Sequence, residues 1–289
     1  MKKISIYTVL AAALLLPATA FSWESTMSCG SGIAECKAGV EPKSTAWTLN
    51  CVGFHLNERG TKQIPYDSVK QVYKRSLATW SAPDCSYLRL IDLGETNEDR
   101  VGFNPYTNKN ANIIVFRDTA WKDSKTIMAL TTVTQDSVTG KIYDADIEMN
   151  CLDYKFSADA TGSSEYIDLE NTLTHELGHA IGFAHSKVTD ATMFGYSRAG
   201  DVEKRSLHAD DIEAICTIYP ASDTDEVRKC KLKSGYFHKP NFGMDERPPS
   251  DCGCSIYSET APINKSTATF VLLLLSFLVF YSRKRVKAL

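Results

Sequence analysis

At 289 residues the chain has room for one well-packed domain with appendages rather than two large domains. Its 43% hydrophobic and 23% charged composition is that of a folded protein and excludes wholesale disorder. A net charge of -3 leaves no basic excess of the kind nucleic-acid binders carry, so no nucleic-acid partner is expected.

In chain order, Met1-Lys2-Lys3, the apolar run Ile4 to Leu16 and the small residues Ala18-Thr19-Ala20 read as a signal peptide over 1–20, cut before Phe21. The apolar run is short for the alternative, a retained membrane anchor. A short cysteine-containing segment, 21–46, comes next. All nine cysteines follow the leader, and in an exported chain they read as structural disulfides of open connectivity, the odd count leaving one unpaired.

Trp47 to Asn57 is strand-like. Pro65 opens a helical pattern in which Val69, Val72, Tyr73, Leu77 and Trp80 recur every three or four residues, with Pro83 beyond its end. Leu88 to Leu93 and Ala111 to Phe116 are short strands. Ile127 to Thr134 and Ile142 to Met149 form an antiparallel pair around Ser137-Val138-Thr139-Gly140. A second helix is predicted over Asp168 to Ala180, stopping at Gly182, and a third over Ala209 to Tyr219, with Asp210 and Asp211 in its first turn. The order β-α-β-β-β-β-α-α predicts an α+β domain over 47–220, with one twisted mixed sheet and about three helices.

Residues 221–266 are polar, contain Pro248-Pro249 and three cysteines, and read as a linker or small disulfide-tied appendage. Thr267 to Ser282 is almost wholly apolar and precedes Arg283-Lys284-Arg285. It is slightly short of the roughly 20 residues of a spanning helix. With a basic end that would stay cytoplasmic, 267–289 is nonetheless read as a membrane partner segment.

The chemistry sits at 175–185, His-Glu-Leu-Gly-His-Ala-Ile-Gly-Phe-Ala-His. Positions i and i+4 share a helix face, so His175 and His179 can present imidazoles to one ion. Gly182 lets the chain turn sharply out of the helix, and His185 can return as a third ligand. Three imidazoles with an open fourth position are the donor set of a catalytic rather than a structural zinc. Glu176 is then the candidate catalytic base for a zinc-activated water attacking a peptide carbonyl. The spacing arises by chance in on the order of one chain in a hundred thousand, so incidental histidines on a polar helix do not account for it.

This motif has the metzincin form, and its surroundings resemble the matrixin branch of zinc metalloproteases. Ser186 follows the third histidine, and Ala191-Thr192-Met193 is similar to the Met-turn, which implies Met193 beneath the metal. Leu207-His208-Ala209-Asp210-Asp211-Ile212 through Pro220 is similar to the matrixin closing helix. Met128-Ala129-Leu130 is similar to the edge strand laid along the substrate. By the same resemblance, 194–207 walls the specificity pocket, with Tyr196 a candidate lining residue. Leu130 and Asp146 stand where two histidines of a second zinc would be, which implies a single zinc. No long propeptide with a cysteine switch is expected. Cys29-Gly30 could cap the metal, and pairing of Cys29 with Cys36 is the commoner outcome outside the cytosol. Calcium is common in the family, and Asp144, Asp146 or Glu148 could supply oxygen ligands, a solvated strand being the commoner explanation of such carboxylates. Asp251-Cys252-Gly253-Cys254, a spacer, a span and a basic end resemble bacterial sorting tails of the MYXO-CTERM type, with Cys252 or Cys254 as the processed residue; a plain single-pass anchor is the alternative.

The resulting expectation is a zinc endopeptidase of the bacterial envelope or extracellular space, with protein or peptide substrates. A non-catalytic, zinc-stabilised surface binding module is the alternative, against which the retained Glu176 argues. An adhesin that merely displays 221–266 has no motif behind it.

Overall fold

A computed structural model describes residues 22–29, 36, 39, 41–104 and 110–221. The leader, most of the 221–266 segment and the apolar tail lie outside the described residues. Among those described, no helix is long and apolar enough to cross a membrane.

Strand β1 (Cys51–Asn57) leads into helix α1 (Tyr66–Ser81), followed by β2 (Arg89–Thr96), β3 (Ile113–Phe116), β4 (Ala129–Gln135) and β5 (Ile142–Met149). The five strands form one mixed sheet in the order β2-β1-β3-β5-β4. β1 is parallel to β2 and β3, β3 is parallel to β5, and only β4 is antiparallel. A two-residue parallel pair, β6 (Phe156–Ser157) and β7 (Ile167–Asp168), was not predicted from the sequence. Helices α2 (Leu169–Ala180) and α3 (Ala209–Ile218) complete the α+β architecture, with a single 3-10 turn at Glu203–Arg205 between them.

Period-2 alternation decides which strand residues meet the helices. Val52, Phe54 and Leu56 of β1, Ala145, Ile147 and Met149 of β5, and Ala129 and Val133 of β4 join the core that α1 and α2 close. α1 buries Val69, Val72, Tyr73, Leu77 and Trp80. Its two large polar-tipped residues are satisfied inside: Tyr73 donates to Phe54 O at 2.6 Å and Trp80 Nε1 to Thr174 O at 2.7 Å. These bonds fix α1 to β1 and to α2 at once.

Cys29 pairs with Cys36 and Cys85 with Cys216, so Cys29 does not reach a metal here. The second bridge ties the α1–β2 connection to α3 across 131 residues, a long loop whose closure restricts the unfolded chain strongly. Cys151 is a buried free thiol. It is an unpaired cysteine inside the folded domain and accounts for the odd count without a processed cysteine in the tail.

The opposite sheet face differs from the expectation of a solvated strand. Asp144 and Asp146, two apart on β5, are both buried. Gly102 and Ile113 close over Asp146: Gly102 N donates to its Oδ2 at 2.6 Å and Ile113 N to its Oδ1 at 3.0 Å. Glu148, next on that face, is ion-paired to Arg117 at 2.6 Å. The protein itself therefore engages Asp146 and Glu148, two of the carboxylates considered for calcium. Burial and mutual repulsion push the Asp144 carboxyl well above the usual range, and burial pushes Asp146 up to about 7. A proton held in the folded chain but released on unfolding stabilises the fold fully below the unfolded pKa of about 3.9. That contribution is lost as pH rises through the folded value of about 7. Asp144→Asn is accordingly expected to flatten the fall in Tm between about pH 4 and pH 7 relative to the parent. An unchanged difference between the two melting profiles across that window would contradict the buried pair.

Candidate metal centre and its surroundings

Helix α2 starts where Asp168 accepts a hydrogen bond from Asn171 N at 2.9 Å, and every one of its residues is buried. A helix buried on all sides must satisfy its polar side chains within the protein. Thr174 donates to Ser76 Oγ at 3.1 Å, Thr172 to Asp168 O at 3.0 Å, and Asp168 itself is ion-paired to Arg205.

His175 and His179, one turn apart, bring their Nε2 atoms to 3.1 Å. His185 joins them, and the three offer ligand atoms within 4.8 Å of one another, one such group among the described residues. The other ring nitrogens set the tautomers. His175 Nδ1 lies 2.6 Å from Thr192 O and His179 Nδ1 lies 2.7 Å from Phe183 O. A carbonyl accepts only, so both protons sit on Nδ1 and both Nε2 atoms face each other as lone pairs. Neither can donate to the other, and a shared cation is what relieves such a contact. Burial lowers the pKa of all three rings, His185 to about 4, so they stay neutral and ligand-competent at neutral pH. The donor set fits a transition-metal ion with nitrogen preference such as zinc.

The turn that returns His185 uses Gly182 at φ 99°, where a Cβ would strike Thr45 O. Met193 packs under α2 against Gly178, the residue before His179, where a Cβ would collide with its Sδ. Asp211 holds that Met193 segment by accepting from Thr192 N at 2.7 Å and Met193 N at 3.0 Å. Glu176 is buried on the neighbouring face, and its Oε2 accepts from Thr131 Oγ1 of the edge strand β4 at 2.6 Å.

Residues 46–220 match the Matrixin peptidase family. The chain belongs to the matrixin family. Among its relatives, Metalloendoproteinase 2-MMP of Arabidopsis thaliana is 26% identical over 188 residues, covering 64% of this chain and 41% of the relative. Stromelysin-1 of Rattus norvegicus is 23% identical over 195 residues, 67% of this chain and 37% of the relative. Matrilysin of Homo sapiens is 40% identical over 58 residues, 20% of this chain and 22% of the relative. The chain thus spans less than half the length of each.

Around the centre of this matrixin, the contacts of segment 22–28 and of Lys204 were not singled out in the sequence. The segment 22–28 lies beside the turn that carries His185: Thr26 N donates to Gly182 O and Ala184 N to Glu24 O, both at 2.9 Å. Asp210 ties the same segment down, accepting from Ser22 N at 2.6 Å with one oxygen and from Ser186 Oγ at 2.6 Å with the other. Lys204 is 6% exposed and donates to Phe194 O. Its Nζ lies 3.5 Å from His175 Nδ1, but that nitrogen already donates to Thr192 O, so this is a packing contact. Burial draws the Lys204 pKa down to about 8 against the opposing pull of Glu176. Tyr196 is half exposed, its ring 5.6 Å from that of Phe194.

Gly195 lies flat on the His185 ring, where an added Cβ would fall 2.9 Å from Nδ1 and 3.1 Å from Cγ. Gly195→Ala is expected to displace His185 and weaken zinc affinity about 10- to 100-fold, as changes behind a ligand commonly do. Competition against a chromophoric chelator measures it, and parental affinity would refute the contact.

Proposed function

We propose that this matrixin is a zinc-dependent endopeptidase that cleaves proteins outside the cytoplasm, with His175, His179 and His185 as metal ligands and Glu176 as the catalytic base. The observation that carries the reading is the convergence of three neutral imidazoles beside a buried carboxylate that touches the edge strand. A zinc ion on those nitrogens would supply a water acidified towards about pKa 7 and a Lewis acid for the scissile carbonyl. Glu176 takes the proton of the attacking water and delivers it to the departing amine. Thr131 occupies one of its oxygens and so aims the other. β4 is a sheet edge, and an extended peptide can add to it as a further strand, main chain to main chain. Met193 supports the ligand helix from below through its contact at Gly178. The reading assigns one metal ion, and with Asp146 and Glu148 already engaged it places no calcium at the β5 carboxylates.

The signal-like leader 1–20 and the apolar tail 267–289 support export and anchoring at a membrane, with catalytic domain 47–220 and linker 221–266 between. Two disulfides in the described domain favour an oxidising compartment. A bacterial envelope with a processed sorting tail remains part of the proposal on the tail sequence alone.

Glu176→Ala separates this reading from a zinc-stabilised binding module. The variant is expected to keep its zinc and lose about 10²- to 10⁴-fold in kcat on a general protein substrate, the usual worth of a positioned base. Turnover equal to the parent at full zinc occupancy would refute the mechanism.

A further inference from the structure

Because β2, β1, β3 and β5 are parallel, their carboxyl ends lie along one edge of the sheet. Ligands of open α/β sheets favour that edge. Here the loops that leave it enclose a cleft of about 670 Å³, walled by Asn57, Phe116 and Glu148 at or near the ends of β1, β3 and β5. Five basic side chains line it, Arg59, Lys62, Arg100, Arg117 and Lys122, against three acidic ones, Asp99, Asp118 and Glu148.

The acidic groups are committed. Asp99 is ion-paired to Arg59 and Glu148 to Arg117. Asp118 accepts from Thr61 Oγ1 at 2.7 Å and from Lys62 N at 3.2 Å. Arg117 also donates to Asp99 O at 3.0 Å, which joins the two ion pairs into a fixed floor. Left over are the ammonium groups of Lys62 and Lys122 and most of the Arg100 guanidinium, whose one donation goes to Gly102 O. Among the described residues none of these three has an ion pair. Two of the three acids are ion-paired and Asp118 is held by neutral donors, so five cations against three carboxylates leave the lining a net surplus of two positive charges, which favours anionic ligands.

Its position points to the polypeptide substrate. Ala129, the first residue of β4, pairs with Met149 at this same edge, and Thr131, which contacts Glu176, is two residues further on. A peptide lying outside β4 would be three strand positions from β3, roughly 14 Å at about 4.8 Å per strand. About four or five extended residues cover that distance. We propose that the cleft is an exosite for an acidic segment of the substrate, several residues from the bond cleaved. This deepens the peptidase reading and rests on it for the identity of the ligand.

The test compares one neutral cleavable peptide carrying a six-residue Asp/Glu tail, at either end, with the same peptide carrying a Gln/Asn tail, using the full chain and its K62E/K122E variant. At low salt the acidic tail is expected to lower KM about five- to tenfold in the parent, the scale of two exposed charge pairs, with kcat unchanged. The advantage should vanish in K62E/K122E and shrink markedly in about 0.5 M salt, where the Debye length falls to roughly 4 Å. Equal KM values for the two tails in the parent, or an advantage that persists in the variant, would overturn the exosite while leaving the peptidase reading intact. Anisotropy of the labelled acidic hexapeptide alone decides the matter independently of cleavage: salt-sensitive binding lost in K62E/K122E supports the site, and no binding refutes it.

Discussion

Two backbone carbonyls, Thr192 O and Phe183 O, hold the imidazoles of His175 and His179, and most of the surrounding structure serves to keep those carbonyls in place. They fix the tautomers, so the Nε2 lone pairs turn inward. Neither carbonyl belongs to a regular element. Phe183 lies in the turn that Gly182 makes possible, clamped by the backbone of Glu24 and Thr26 on one side. Thr192 lies in the segment that Asp211 pulls against α2. Removing either support would leave the helix intact and the ring orientation undefined.

That dependence explains why α2 is buried on every side. A half-exposed helix would let water compete for the histidine protons, and water accepts and donates alike. In a dry interior the accepting carbonyl is the only choice, and desolvation keeps the rings uncharged. The same dryness calls for partners to the other polar groups on α2, hence Ser76 opposite Thr174 and Arg75 opposite Glu170. Lys204 is the costliest member of the set: its ammonium is buried beside a site proposed to hold a dication, with Phe194 O as acceptor and Glu176 as the compensating charge.

Helix spacing made α1 legible in the sequence, because burial on its face repeats every three or four residues, whereas α2 and α3 were read from their ends, Gly182 after the one and Asp210, Asp211 and Pro220 about the other. The His-Glu-x-x-His face follows from the same geometry. What sequence spacing could not carry was contact between distant segments. Ser22 meets Asp210 across 188 positions, through backbone N–H groups that any residue possesses. Asp144 and Asp146 alternate with Ala145 and Ile147 as solvated residues would, and only the overlying chain makes them buried. Cys151 shows that counting cysteines states that one is unpaired without saying which. Lys204 sits in the 194–207 stretch read as a pocket wall, and nothing in its spacing marks it as buried.

The link between sheet and helix is narrower than either element. Thr131 touches Glu176 only because it shares a strand face with Ala129 and Val133, and a one-residue slip of β4 against β5 would turn it away. An edge strand has a partner on one side alone, so its register needs a separate constraint. The hairpin provides it. Asp136 accepts from Val138 N at 2.9 Å and Thr139 N at 2.7 Å, and Gly140 at φ 74° lets the chain return beside Ser44. Ala46 N then donates to Gly140 O and Ile142 N to Ala46 O, so segment 44–46 braces the turn from outside. Thr45, in that segment, donates its N–H to Thr26 O and lies against Gly182. One short stretch therefore braces both the hairpin that sets the register aiming Glu176 and the turn that returns His185.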